Sequence, residues 1–321
     1  MMESAIERLG GIHAATVCPL DDAYRVDEAA LARHVDAVAA VPGIDGLLVN
    51  GHAGENFVLD PAEKARVVAA IRAAVGPGVF LTCGVNAESS LQAARDAAAA
   101  EAAGADAVLV FPPNAWALGQ TRAGVRLHHD AVAAACGLPL VLYQAPVGAG
   151  AMPYPVATLL DLVASPRVAG IKEGSWEVAA YEENRRAVKA LRPDLAVLGS
   201  GDEHLLACYL VGTEGSQVSL AAIVPEMVVG LWRAAERRDW VLARAWHDAL
   251  YPLACAIYRE RPGAHATARL KACLKILGRL ADDRVRPPVP TLDADEHARL
   301  AAALDHAART ARALHGAEAA A

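Results

Sequence analysis

The sequence predicts an α/β fold, a (β/α)8 TIM barrel with a C-terminal helical extension. Short runs rich in Val, Ile and Leu alternate with longer amphipathic, Ala-rich stretches. Fully apolar strands that alternate with helices are typical of a parallel sheet covered by helices. About eight such units fit within roughly 220 residues, which favours a closed barrel over a doubly wound sheet. No strand pattern follows residue 224, so the rest of the chain is predicted to be helical.

The predicted strands are short apolar runs, at 11–17, 46–50, 79–83, 107–111, 139–143, 168–172, 196–199 and 216–219. Helices are predicted between them, at 27–41, 61–75, 89–103, 123–136, 155–164, 176–191 and 203–211. Their ends carry the usual signals, for example Asp60 and Pro61 at the start of one helix and Gly76 just after it. A Rossmann-type domain needs a GxGxxG turn after its first strand, and residues 17–20 (Val-Cys-Pro-Leu) do not provide one.

The C-terminal part of the chain divides into further helical stretches, at 225–237, 240–259, 264–280 and 293–315. The first of them is long enough to close the barrel as its eighth helix. We therefore predict a barrel that carries the active site over 1–237 and a C-terminal helical bundle over 238–316. The last residues, 317–321, are predicted to form a disordered tail.

Composition excludes several classes of protein. Hydrophobic residues make up 55% of the chain, which supports a sizeable core, and a net charge of −7 offers no electrostatic footprint for nucleic acid. No apolar run reaches the roughly 18 residues that a membrane span needs, and the start of the chain lacks the pattern of a signal peptide. The six cysteines are scattered without a CxxC pair, which argues against a structural zinc site. We expect a cytoplasmic protein.

One lysine stands out as a candidate nucleophile. Catalytic residues of such barrels lie at the C-terminal ends of strands and in the loops that follow. Of the five lysines, Lys64, Lys189, Lys271 and Lys275 fall inside helical patterns, whereas Lys172 ends an apolar strand. An amine at a barrel mouth is desolvated, which lowers its pKa and frees it to attack a ketone. The same pattern also fits a lysine that simply extends into solvent.

A tyrosine ends the preceding predicted strand. The hydroxyl of Tyr143 can lie within proton-transfer reach of an adduct on Lys172, because the two strands are neighbours in the barrel. The alternative is an aromatic residue on the rim with its hydroxyl in water.

A glycine-rich turn follows the second predicted strand and comprises Gly51, His52, Ala53, Gly54 and Glu55. Flanking glycines permit a tight turn that aims backbone N–H groups at an anion such as a carboxylate. Glu55 can tie the turn down. Such turns are common, so the turn alone indicates little.

These motifs in this order, GxxGE after the second strand, YxxP after the fifth and GIKE ending the sixth, resemble the dihydrodipicolinate synthase/N-acetylneuraminate lyase family. The resemblance extends over nearly the whole chain, and residues 198–202 are similar to the family's seventh-strand pattern. It implies a class I lysine Schiff-base lyase that breaks a carbon–carbon or carbon–oxygen bond in a 2-oxo acid such as pyruvate. It also implies that no cofactor is required and that the protein forms a homotetramer.

The resemblance also implies roles for the residues. Lys172 would form the imine, Tyr143 would carry protons to and from the bound substrate, and the turn from Gly51 to Glu55 would hold the substrate carboxylate. A protonated imine is an electron sink beside the bond to be broken. A pyruvate-type aldolase and a 2-keto-3-deoxy acid dehydratase both proceed through the same enamine, so the motifs do not distinguish them.

The turn departs from the family at two positions. Family members usually carry Thr-Thr or Ser-Thr where this chain has His52 and Ala53. Backbone N–H groups can still bind a carboxylate, and His52 can supply a hydrogen-bond donor or a proton relay that titrates near pH 6.5. The alternative is that His52 packs against another subunit.

Further departures concern the substrate. True dihydrodipicolinate synthases have an arginine shortly after YxxP and a tyrosine after the fourth strand, and residues 147–150 and 111–116 here contain neither. We therefore expect a different 2-oxo acid. Two alternatives remain: a phosphate-sugar class I aldolase, supported by 199–201 but opposed by the acidic pair Asp202 and Glu203, and a non-catalytic 2-oxo-acid-binding barrel, suggested by the missing hydroxyls of the turn.

Overall fold

The computed structural model describes residues 2–320, with side chains at all of these except 3, 4 and 315–320. Eight parallel strands close into a barrel in which each strand pairs with the next along the chain and the last pairs with the first. The predicted (β/α)8 barrel is confirmed. The strands are β1 (Gly11–Ala15), β2 (Ile44–Val49), β3 (Phe80–Val85), β4 (Ala107–Val110), β5 (Leu140–Gln144), β6 (Val168–Glu173), β7 (Ala196–Gly199) and β8 (Gly215–Val218).

Helices alternate with the strands and then continue beyond the barrel. The helices of the described residues up to the end of the barrel are α1 (Met2–Arg8), α2 (Glu28–Ala39), α3 (Pro61–Val75), α4 (Ser90–Ala102), α5 (Arg122–Ala135), α6 (Val156–Val163), α7 (Val178–Leu191), α8 (Leu205–Val211), α9 (Leu220–Ile223) and α10 (Pro225–Glu236). Those that follow are α11 (Trp240–Tyr258), α12 (Ala266–Ile276) and α13 (Ala294–Ala320). No helix of residues 2–320 is long and apolar enough to cross a membrane.

The sequence analysis missed three short elements: α1, α9 and a 3-10 helix at Asn114–Leu118. They are too short to show a helical period in the sequence. Immediately after α1, Leu9 is fully buried among the residues that fill the barrel interior, so the N-terminal helix closes the bottom of the barrel. At the other end of the chain, α13 continues to Ala320, past the predicted start of the tail at 317; residue 321 lies outside the described residues.

Strand register sets the height of the side chains that matter for function. Tyr143 of β5 pairs with Lys172 of β6, one residue before each strand ends. Both side chains therefore reach the same level at the C-terminal mouth of the barrel. The barrel interior below them is filled mainly by apolar residues such as Leu48, Val141 and Leu198.

The chain leaves β2 through a close approach to β3. A Cβ atom on Gly84 would lie 2.1 Å from the carbonyl oxygen of Asn50, so only glycine fits there. Asn50 itself has a positive φ of 49°, a conformation that asparagine adopts more readily than most residues. Its side-chain amide donates to the carbonyl of Lys64 at 3.0 Å. This fixed exit from β2 determines where the glycine-rich turn begins.

Candidate active site

A cavity of about 400 Å³ opens at the C-terminal mouth of the barrel. Lys172 and Tyr143 both line it, and the Lys172 Nζ lies 5.9 Å from the centre of the Tyr143 ring. The structure thus brings the two candidate residues together from adjacent strands. The other lining residues come from β1, the turn after β2, the loops after β4 to β7, the end of β8, the end of α11 and the segment that leads into α12: Ala15, His52, Ala53, Phe57, Asn114, Pro146, Trp176, Ser200, Asp202, Gln217, Ser219, Tyr258, Gly263, Ala264, Ala266, Thr267 and Leu270.

Burial makes the neutral form of the Lys172 amine accessible near physiological pH. Burial lowers its pKa from 10.5 to about 8, because an ammonium loses hydration when it is surrounded by protein. The carboxylate of Asp202 opposes this shift but does not cancel it. A substantial fraction of the amine is therefore available as a nucleophile without a separate base.

Asp202 is a cavity residue that the sequence analysis did not assign to the site. It follows β7, is 4% exposed and accepts a hydrogen bond from the Leu220 N–H at 2.8 Å. Burial raises the pKa of its carboxyl to about 6, against the opposing effects of that hydrogen bond and of Lys172. The hydroxyl of Tyr258 lies near Asp202 but makes no hydrogen bond of good geometry with it. The position of Asp202 just after a strand end is the feature of the sequence that could have assigned it to the site.

The ring of Tyr143 is fixed by aromatic neighbours. Its centre lies 4.7 Å from the ring centre of Phe111 and 5.5 Å from that of His52. Burial, and to a smaller extent the charge of Glu173, raise the pKa of the Tyr143 hydroxyl far above 10. The hydroxyl therefore stays protonated and can donate a proton from a constant position.

His52 reaches the cavity rather than turning away from it. Its ring stacks on Phe111 at 4.4 Å between centres, with the edge contact to Tyr143 on another side. Desolvation by this packing, with a smaller effect of the charge on Lys172, lowers the pKa of His52 below 6.5, although the side chain remains open toward the mouth of the cavity. The direction of this shift favours the neutral imidazole, and the exposure of the side chain opposes the desolvation that causes the shift.

The glycine-rich turn is internally bonded, and the N–H groups of its two cavity-lining residues take no part in these bonds. The Gly51 carbonyl accepts from the N–H of Gly54 at 3.0 Å, and the His52 carbonyl accepts from the N–H of Glu55 at 3.1 Å. The N–H groups of His52 and Ala53 have no hydrogen-bond partner within residues 2–320. Because Ala53 and His52 line the cavity, these two N–H groups are suited to bind an anion.

Glu55 faces away from the cavity. Its carboxylate forms a buried ion pair with Lys271 of α12 at 2.7 Å and accepts from the backbone N–H of Arg286 at 3.2 Å. Of the five turn residues, His52 and Ala53 line the cavity, whereas Gly51, Gly54 and Glu55 do not. Glu55 instead ties the turn to the C-terminal helices.

Part of the cavity wall could not be found from local sequence signals. Thr267 and Leu270 come from α12, which follows the barrel in the chain. Trp176 lies in the loop between β6 and α7 and has a positive φ of 60°. Gln217 has a signal in the sequence, since it is the one long polar residue of β8, whose other residues are glycine, serine and valine. Its amide donates to the Thr82 hydroxyl at 3.4 Å across the barrel interior.

The charges of the cavity restrict what it can bind. Lys172 is the only lysine or arginine among the lining residues, and Asp202 is the only acid. Trp116, in the segment where the family has a tyrosine, packs against His128 and Tyr154 and does not line the cavity. Within the described part of the chain, no group of three or more metal-ligating side chains could hold a metal ion.

Comparisons with known proteins agree with this architecture. The profile of a family described as "Dihydrodipicolinate synthetase family" matches residues 8–307. A 4-hydroxy-tetrahydrodipicolinate synthase 1 of Streptomyces coelicolor is 32% identical over 285 residues, which cover 88% of this chain and 87% of that protein. An uncharacterized DapA-like lyase of Halobacterium salinarum is 34% identical over 298 residues, covering 92% and 93%. The crystal structure of YagE from E. coli K12 in complex with pyruvate is similar at a TM-score of 0.86 and 24% identity, covering 93% and 98%.

Proposed function

The chain belongs to the dihydrodipicolinate synthetase family, whose members are class I Schiff-base lyases that act on pyruvate, and we propose that Lys172 carries the imine of its 2-oxo-acid substrate. One observation carries the assignment. Lys172 is the only primary amine in the cavity wall, and burial brings its pKa to about 8. The pyruvate bound in the YagE structure supports a 2-oxo acid of this kind.

The chemistry follows from the proposed imine. The neutral Lys172 amine adds to the C2 carbonyl, and the carbonyl oxygen leaves as water once protons have been supplied to it. The resulting protonated imine accepts the electron pair of a bond at C3. Cleavage of C3–C4 releases an aldehyde and leaves the enamine of pyruvate, whereas loss of a C3 proton followed by loss of the C4 hydroxyl gives a dehydrated product. Tyr143, which stays protonated beside Lys172, is the proposed proton carrier in both cases.

The glycine-rich turn is the proposed carboxylate site. The free N–H groups of His52 and Ala53 supply two donors at the cavity wall, and the positive charge of the imine on Lys172 adds electrostatic attraction. Ala53 has no hydroxyl for the proton relay that the family's threonine provides. The neutral imidazole of His52 can serve as a hydrogen-bond donor or acceptor there, but not as a cation at physiological pH.

The part of the substrate beyond C3 is proposed to be uncharged and polar. No arginine lines the cavity to pair with a second carboxylate or a phosphate, and Asp202 would repel either one. This opposes both a lysine-pathway synthase and a phosphate-sugar aldolase. Hydroxyl and amide groups of Ser200, Ser219 and Gln217 can hydrogen-bond a hydroxylated chain. We therefore propose a hydroxylated 2-oxo acid.

A substrate panel tests the proposal. Purified protein is incubated with 4-hydroxy-2-oxo acids and 3-deoxy-2-oxo sugar acids, and pyruvate release is measured beside formation of dehydrated product. We expect turnover of at least one compound and no useful condensation of pyruvate with aspartate semialdehyde. Efficient condensation would contradict the proposed substrate class. Imine formation without turnover of any compound would instead favour the non-catalytic 2-oxo-acid-binding barrel.

The assembly and location are also proposals. By analogy with the family we propose a cytoplasmic homotetramer. Light scattering of the purified protein would then give a mass four times the 33.4 kDa of the chain, and a mass of 33.4 kDa would contradict it.

A further inference from the structure

One face of α12 contacts the glycine-rich turn. Lys271 is fully buried, and its ammonium contacts the Glu55 carboxylate at 2.7 Å and the Arg284 carbonyl at 2.8 Å. One helical turn earlier on the same face, the Thr267 hydroxyl donates to the His52 carbonyl at 3.2 Å. Two residues of one helix therefore fix two residues of the turn.

The ion pair between Lys271 and Glu55 is not explained by stability alone. Their side chains are only 1% and 4% exposed, so both charges have lost nearly all of their hydration. Desolvation offsets most of the attraction in such a pair, and apolar residues of similar volume are often equally stable. What the pair does provide is a fixed geometry for the atoms attached to it.

The backbone of the turn needs such a constraint. Glu55 has a positive φ of 57°, and Asn50 at the start of the turn has a φ of 49°. A residue with a side chain pays a conformational cost in this region and keeps it only where its surroundings hold it there. The Glu55 carboxylate is held from two sides, by the Lys271 ammonium and by the Arg286 N–H at 3.2 Å.

We propose that Lys271 is a positioning residue for the substrate carboxylate. It holds Glu55, and through Glu55 and the Thr267 contact the helix α12 keeps the N–H groups of His52 and Ala53 aimed into the cavity. This inference rests on the proposed function of the turn as the carboxylate site. It makes the C-terminal helices part of the active site, although Lys271 itself does not line the cavity.

The test is reductive trapping with pyruvate as the probe. Wild-type protein and Lys271→Met are treated with borohydride over a range of pyruvate concentrations, and the labelling of Lys172 is measured by mass spectrometry. A misplaced binding group typically costs up to about 100-fold, so we expect the half-saturating pyruvate concentration to rise roughly 10- to 100-fold. The labelling rate at saturation should change less than about threefold, because the amine itself is untouched.

Lys275→Met is the matched control. Lys275 lies one turn further along α12 and also pairs with an acid, Asp283 at 2.7 Å, but its side chain is 43% exposed. Among the described residues it has no ion pair with the turn. Its replacement should leave the half-saturating concentration unchanged. Thr267→Val, which replaces the hydroxyl with a methyl group of similar size, should raise the half-saturating pyruvate concentration by a smaller factor than Lys271→Met.

A second variant keeps the test decisive if Lys271→Met fails to fold. Lys271→Met combined with Glu55→Gln removes both buried charges, leaves no unpaired ion and should therefore fold. It should still show the raised half-saturating concentration. A wild-type value in this double variant, or a loss confined to the saturated rate, would overturn the positioning role. Absence of Lys172 labelling in the wild-type protein would instead overturn the proposed function.

Discussion

The reactivity of Lys172 depends on its protonation. Because burial lowers the pKa of its amine to about 8, the nucleophilic neutral form is scarce in acid and predominates above that pH. The rate of imine formation with pyruvate should therefore rise with pH and level off above about pH 8 to 9. Since the pKa of His52 is also lowered, its imidazole should contribute no change near 6.5, and a change near 6 would report the Asp202 carboxyl, whose pKa is about 6. The rate of imine formation can be measured across this pH range by stopped-flow or quenched trapping. A rate that keeps rising up to pH 10.5 would contradict the lowered pKa of the Lys172 amine.

The hydroxyl of Tyr143 should matter for turnover and little for binding. Tyr143→Phe keeps the ring contacts with Phe111 and removes only the proton carrier, so kcat on an accepted substrate should fall roughly 10²- to 10⁴-fold. Tyr181→Phe is the control, since its hydroxyl donates to the Gly212 carbonyl at 2.7 Å outside the site and its loss should affect stability only. An unchanged kcat in Tyr143→Phe would mean that the proton comes from another group.

At the scale of residues, the sequence predicts the site where a reactive side chain also stands at the end of a predicted strand. Lys172 was found because it is the one lysine at the end of an apolar strand, and Tyr143 because its strand precedes that one. Asp202 also follows a strand end, but its place in the sequence indicates only a charge that disfavours phosphate. Thr267 and Lys271 lie more than 200 residues after the turn they hold, and no local pattern reports such a contact.

At the scale of elements, the close approach of β2 and β3 depends on one glycine. A Cβ on Gly84 would lie 2.1 Å from the Asn50 carbonyl oxygen and 3.0 Å from the Phe111 ring. Gly84→Ala should lower the free energy of unfolding by roughly 1–3 kcal/mol or more, as overpacking of a rigid interior does. Gly78→Ala, where no atom lies within 4 Å of the new methyl, is the control. Equal melting temperatures in the two variants would contradict the constraint.

The elements themselves were predictable because their pattern is repeated eight times. The predicted helix at 61–75 agrees with α3, whose start is defined by a capping box of Asp60 and Glu63. The predicted strand at 196–199 agrees with β7, a short apolar run. Most other ends differ by one or two residues, because the last turn of a helix or last pair of a strand depends on neighbours. The short helices α1 and α9 depend on packing against the barrel and have no period of their own.

At the scale of the molecule, the barrel and the C-terminal helices share a packed boundary. A Cβ on Gly230 of α10 would lie 2.7 Å from the ring of Trp246 on α11, so the two helices are in close contact. Arg279 donates to the Ile223 carbonyl at 2.9 Å across the same boundary. We therefore expect one cooperative unfolding transition in calorimetry. Two separate transitions would mean that the barrel and the C-terminal helices, divided at residue 237, unfold independently.

The central claim is that Lys172 forms the imine, and reductive trapping tests it directly. Protein treated with pyruvate and borohydride is digested and the modified peptide identified by mass spectrometry. We predict one added reduced pyruvyl group per chain, on Lys172, and none in Lys172→Arg, since a guanidinium stays protonated and does not attack a ketone. The other four lysines serve as internal controls. Labelling that persists in Lys172→Arg, or that falls on another lysine in the wild-type protein, would contradict the account.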